Sequence, residues 1–211
     1  MVEIQLIIEG GHSVFQPKKT TEIDSNSNRL RLSFQKLLAQ EIAENDLKRK
    51  VKIIMGGGWQ EIKSYYEDVT DKVNSLILVD SDAPNEDKEA KRIERRLEPK
   101  ENVFLMVQET EAWLLSQPEI LDKYYGRIYG KKEDSIKELI LEKPQAYVKP
   151  SSKLDELLKL HYSEKKIQKF YHKMNNDIEL IPMLNLSKLK EDFDDVHRLI
   201  NTLQTKIATN A

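Results

Sequence analysis

Apolar residues dominate four short runs in the first half of the chain: Val2 to Ile8, Val51 to Met55, Ser75 to Val79 and Val103 to Val107. Short runs of this kind, bounded by polar residues and glycines, predict strands buried on both faces of a parallel sheet. Between them the apolar positions recur at helical spacing. Leu30, Phe34, Leu37, Leu38 and Ile42 predict one crossover helix, and Trp59, Ile62, Tyr66, Val69 and Val73 a second. A charged helix is expected from about Asn85 to Leu97, with Ala90, Ile93 and Leu97 inward and Lys88, Lys91, Arg92, Arg95 and Arg96 exposed. Another begins near Thr110 and buries some of Ala112, Trp113 and Leu115. The stretch from Gly10 to Asn28 is polar, carries Lys18 and Lys19 and has no period, which predicts a long loop.

Beyond Gly126 the strand pattern stops. Leu154, Leu157 and Leu158 mark one amphipathic helix, and Leu189, Phe193, Val196, Ile200 and Leu203 a longer one. The expected fold class is therefore α/β: a mostly parallel four-stranded sheet flanked by helices over residues 1–125, a helical extension packed on it over 126–205, and a frayed tail at 206–211.

Composition narrows the chemistry more than the fold. A length of 211 residues suffices for a sizeable core, and a formal net charge of −2 excludes a generic polyanion binder, so any nucleic-acid contact must be local. With no cysteine in the chain, disulfides, thiolate zinc sites and cysteine nucleophiles are excluded. No apolar run approaches the roughly 18 residues that span a bilayer, so no membrane association is expected and the cytoplasm is the default location.

Three of the apolar runs lead into carboxylates: Glu9 before Gly10-Gly11, Asp80 and Asp82 around Ser81, and Glu109 and Glu111 around Thr110. In an open α/β sheet the carboxyl ends of the strands line one crevice, and a strand order 2-1-3-4 would place Glu9 beside Asp80. Carboxylates gathered in one pocket repel and call for a hard cation such as Mg²⁺ or Mn²⁺, which takes oxygen ligands. Asp80 or Asp82 could instead cap the following helix, and acids at a helix start, such as Glu109 and Glu111, are favoured by the dipole alone. Gly56-Gly57-Gly58 reads as a tight turn rather than a dinucleotide fingerprint. His12 stands three residues past Glu9, on a loop able to close over the site. Lys149 and Lys153, with Lys165, Lys166, Lys169 and Lys173, are candidate phosphate contacts, although a solvated helix face explains such runs more often.

The strings Ile8-Glu9-Gly10-Gly11, Gly56-Gly57-Gly58, Leu78-Val79-Asp80-Ser81-Asp82 and Met106-Val107-Gln108 running on to Glu111-Ala112-Trp113-Leu114-Leu115 together resemble a Toprim-like bacterial family of unknown function, of the domain-of-unknown-function 4276 type. The likeness continues through Lys149, Tyr171 and Lys173 to Arg198-Leu199-Ile200. It implies a Toprim fold, shared by topoisomerases, primases and overcoming-lysogenisation nucleases, and a Mg²⁺-dependent chemistry. By resemblance, Glu9 matches the Toprim glutamate, Asp80 and Asp82 the DxD metal motif, and Glu111, rather than Glu109, the late acid. The likeness also implies an AAA or ABC-type ATPase partner in a phage-defence setting. Two departures stand out: His12 and Ser13 replace the further acid usual in Toprim nucleases, and Met174 replaces a glycine.

The leading expectation is a metal-dependent nuclease. Glu9, Asp80, Asp82 and Glu111 would be its catalytic and metal-binding residues, and Lys149, Lys18 and Lys19 its contacts to the phosphates of DNA or RNA. A non-catalytic adaptor that binds the ATPase is the rival reading, and a phosphate- or glycosyl-transfer enzyme a third.

Overall fold

A computed structural model of the chain describes residues 3–11, 21–96, 100–162 and 169–209. Val2, His12, Ser13, Lys18, Lys19, Leu97, Lys165 and Lys166 lie outside the described residues. Four strands, β1 (Ile4–Ile8), β2 (Val51–Met55), β3 (Ser75–Asp80) and β4 (Val103–Met106), form one all-parallel sheet in the order β2-β1-β3-β4. The order reverses between β1 and β3, so the ends of these two strands flank a crevice.

Side-chain alternation divides the sheet into two unequal cores. Ile4, Leu6, Ile8, Leu76, Leu78, Phe104 and Met106 point to the larger one. It is completed by α1 (Thr21–Leu38), α2 (Glu44–Lys50), α5 (Thr110–Leu115) and α6 (Pro118–Tyr129), with α7 (Pro150–His161), α8 (Lys173–Leu180), α9 (Leu186–Asp192) and α10 (Asp194–Thr209). Ile7, Ile54, Ile77, Val79, Val103 and Leu105 face the smaller core, covered by Ile62 and Tyr66 of α3 (Trp59–Asp68). The strands are thus buried on both sides, which is why their sequences read as unbroken apolar runs. Even Gln5 in β1 is accommodated, by the hydroxyl of Tyr65 at 3.0 Å.

At the turn after β2, a Cβ on Gly56 would stand 2.3 Å from Cγ1 of Ile62, so only glycine lets α3 lie this close to the sheet. Gly56→Ala is expected to cost about 2–3 kcal/mol through overpacking, read as a lower urea midpoint with unchanged slope.

Several expectations are corrected. Helix α1 begins at Thr21 inside the expected loop. Ser27, one of its early residues, is buried against Gly11, and a small polar side chain at a close contact leaves no hydrophobic signal. The charged helix, α4 (Lys88–Arg95), presents the opposite face: Arg92 and Arg95 are buried, while Ile93 is 73% exposed. Acids facing that side decide it. Asp195 lies 3.6 Å from Arg92, and Asp82 pairs with Arg95, so the guanidinium groups are buried with partners. Val73 is exposed beyond the end of α3, and α2 had no counterpart in the expected elements. The expected long C-terminal helix is two, divided at an extended Phe193, and the second continues to Thr209 with Ile207 buried where a tail was expected. Helix α6 runs unbroken across residues 125 and 126, and α10 packs against β4, so the extension shares the core of the sheet.

Candidate acid site at the strand ends

Glu9 follows β1 directly, and its carboxylate accepts the backbone N–H of Trp59 at 3.1 Å and of Asp80 at 3.0 Å. One side chain therefore ties together the ends of β1 and β3 and the first turn of α3. The first amide of α3 is thus taken by Glu9 and is not open to a phosphate. Burial raises the Glu9 pKa, opposed by the Asp80 N–H and by Arg95. Glu9→Ala is expected to lower stability by about 2–3 kcal/mol, because two backbone donors lose their acceptor; a matching loss in urea unfolding would establish this scaffold role.

Asp80 closes β3 and is buried, with Oδ1 lacking any hydrogen-bond partner and Oδ2 3.4 Å from the ammonium of Lys173. Burial pushes its carboxyl well above the usual range; Lys173 opposes this, while Glu9, Glu111 and Glu109 add to it. Glu111, in the first turn of α5, is fully buried. Its Oε1 accepts from the hydroxyl of Tyr171 at 3.0 Å, and its Oε2, without a hydrogen bond, lies 3.3 Å from the Lys173 ammonium. Burial raises its pKa as well.

Asp177 on α8 completes the cluster. Burial and then the charge of Glu111 push its pKa up to about 8. Tyr171 stands between Asp177 and Glu111 and bonds to both. A phenol has one proton to give, so Tyr171 donates to only one of the two acids at a time. Glu9, Gly10, Gly11, Leu30, Phe34, Asp80, Thr110, Lys173, Asp177 and Ile181 line a cavity of about 280 Å³.

The structure thus brings Glu9, Asp80 and Glu111 together across about a hundred residues of sequence. Asp82 is diverted. The strand ends at Asp80, Asp82 has a left-handed φ of 48°, and its half-exposed carboxylate pairs with Arg95, which also donates to the Asp80 carbonyl and lies over the Trp59 ring. Strand alternation, on which a shared direction for Asp80 and Asp82 depended, does not extend that far. Neither acid caps α4, whose N-cap is Asp87. Glu109 accepts the N–H of Ser151 in the first turn of α7; neither it nor Glu111 lines the cavity, and Glu111 reaches the site through Lys173. Lys149 is exposed at the start of α7 and does not line the cavity. Lys173, one of the candidate phosphate contacts and part of the family likeness, is at the centre of the site, paired with acids. Asp177 and the pairing of Arg95 were not anticipated. Among the described residues no group of three histidine, aspartate or glutamate side chains is already arranged around a common point as a metal-ligand set.

Fold and site define an α/β protein with an all-parallel sheet whose strand ends hold buried acids around one lysine. Residues 10–204 match the family model described as a domain of unknown function, DUF4276, and the chain belongs to that family. No curated protein and no solved structure matches it. Among the described residues no helix is long and apolar enough to cross a membrane.

Proposed function

We propose that this protein is a Mg²⁺- or Mn²⁺-dependent phosphodiesterase of Toprim type that cleaves nucleic acid, working with an ATPase partner in phage defence. The observation that carries the reading is that Asp80 and Glu111, from the end of β3 and the start of α5, meet at one lysine, each with a buried oxygen that no hydrogen bond satisfies. Such orphaned oxygens are costly unless a cation takes them. The donor set is all hard oxygen, which suits Mg²⁺ or Mn²⁺, and Mg²⁺ is commonly held by one or two carboxylates with substrate phosphates supplying the rest. A pre-formed set of three side chains is therefore not required. Bound there, the ion would polarise a phosphoryl oxygen and help to activate water.

The chain's own residues divide the remaining work. Glu9 holds the backbone of Asp80 and Trp59 in place. Tyr171 fixes one oxygen of Glu111 so that the other faces the site. Asp177, which lines the cavity and whose pKa burial raises to about 8, is the group there able to exchange a proton near neutral pH.

The test is incubation of the purified protein with Mg²⁺ or Mn²⁺ and plasmid, single-stranded DNA or tRNA, alongside Asp80→Asn and Glu111→Gln. Cleavage that needs metal and is lost in both variants supports the proposal, whereas equal cleavage by all three proteins defeats it. The adaptor reading is favoured by one specific observation: Lys173 already pairs with Asp80 and Glu111, and Arg95 with Asp82. Persistent inactivity with an ATPase partner supplied would select it.

A further inference from the structure

The Lys173 ammonium lies between two carboxylates that would flank a divalent ion, 3.4 Å from Asp80 and 3.3 Å from Glu111. The surrounding acids outnumber it: Glu9, Asp80, Glu109, Glu111 and Asp177 act on one another or on Lys173. The oxygens it faces are held ready. Tyr171 takes Oε1 of Glu111 and leaves Oε2 toward the ammonium, while Oδ1 of Asp80 has no partner at all. Lys173 is also free to leave: its side chain is 47% exposed, carries four rotatable methylenes and lines the 280 Å³ cavity.

We infer that Lys173 is a tethered cation occupying the metal's place, so that ammonium and divalent ion exclude each other from the space between Asp80 and Glu111. Metal entry turns the ammonium out into the cavity. Two cations sharing these oxygens would repel, and Mg²⁺ draws carboxylates to about 2.1 Å, leaving no room for a bridging ammonium. Without metal, the lysine offsets the repulsion among buried acids. A lysine ammonium is the ordinary charged form at physiological pH. The inference rests on the metal-binding half of the proposed function and not on hydrolysis.

Isothermal titration of Mn²⁺ into the full-length wild type, Lys173→Met and Lys173→Gln, with thermal unfolding in EDTA and in Mn²⁺, tests it. Both variants should bind Mn²⁺ roughly tenfold tighter than wild type, the size expected for removing a half-exposed like charge. They should also melt lower in EDTA and gain more from Mn²⁺. Equal or weaker Mn²⁺ binding in the variants overturns the inference. Crystals of the wild type soaked in Mn²⁺ decide the matter even if the variants fail to fold: an anomalous peak between Asp80 and Glu111 with the ammonium in the cavity is expected, and an ammonium still bridging both acids overturns it. Tighter Mn²⁺ binding without cleavage of any nucleic acid would leave this inference standing and defeat the hydrolase. Metal-dependent cleavage by wild type with no gain in affinity in the variants would do the reverse.

Discussion

Asp80→Asn is expected to remove metal-dependent hydrolysis, by about a thousandfold or more, while the metal-free protein becomes more stable by about 1–2 kcal/mol. A metal ion supplies several kcal/mol of charge stabilisation in phosphoryl transfer, and a neutral amide cannot hold it against the remaining acids. The gain in stability has a separate cause. Burial holds the Asp80 carboxyl well above its ordinary range, so the ionised form is disfavoured in the folded protein. Removing a charge usually strands its partner, but Lys173 keeps Glu111 at 3.3 Å and is itself half exposed. Initial rates beside melting temperatures in EDTA check both halves. Loss of activity with a lower melting temperature would show that Asp80 is mainly a structural residue.

Stability of the metal-free protein should fall as pH rises, the reverse of ordinary acid denaturation. Glu9, Asp80, Glu111 and Asp177 all have raised pKa values, burial being the first cause for each. Between the unfolded and folded pKa of such an acid, the native state binds more protons than the unfolded state, so unfolding becomes easier with each step up in pH. For Asp177 that window runs from 3.8 to about 8. The four acids share one cluster, so their effects do not add; a net loss of about 3–4 kcal/mol between pH 5 and pH 8.5 is expected. Urea unfolding in EDTA across this range measures it. Asp177→Asn should flatten the profile above pH 6, and saturating Mn²⁺ should reduce the slope by stabilising the ionised form of Asp80 and Glu111. A profile that rises with pH would show that these acids are well solvated or well paired.

The ends of the chemistry were easier to read than its middle. Glu9 was legible because an acid leaving an apolar strand before two glycines is unusual, and Asp80 because it directly follows the apolar run Leu76 to Val79. Lys173 and Asp177 were not, because they lie at the polar start of α8, whose apolar positions Ile178 and Leu180 mark the core face but say nothing of the distant acids these two side chains meet. Arg92 and Arg95 misled for the same reason. A periodicity argument turns Ile93 inward, but two guanidinium groups with waiting carboxylates outcompete one isoleucine for the buried face. Asp82 shows the limit of alternation, since one left-handed residue after the strand sends its carboxylate to Arg95.

By itself, the sequence determined the four strands and their parallel association, because burial on both faces demands apolar runs and the crossovers between them demand helices; their order, which entered only as a condition, was decided by the tertiary structure. It also determined that any metal here would meet oxygen donors, as a chain without cysteine and with scattered histidines has no softer set to offer. Only the tertiary structure decided which acids share the cavity, which are occupied by amides or arginine, and that a lysine stands among them. Those outcomes depend on how distant charges pair once water is excluded, and such pairing is a property of three-dimensional proximity that no local pattern encodes.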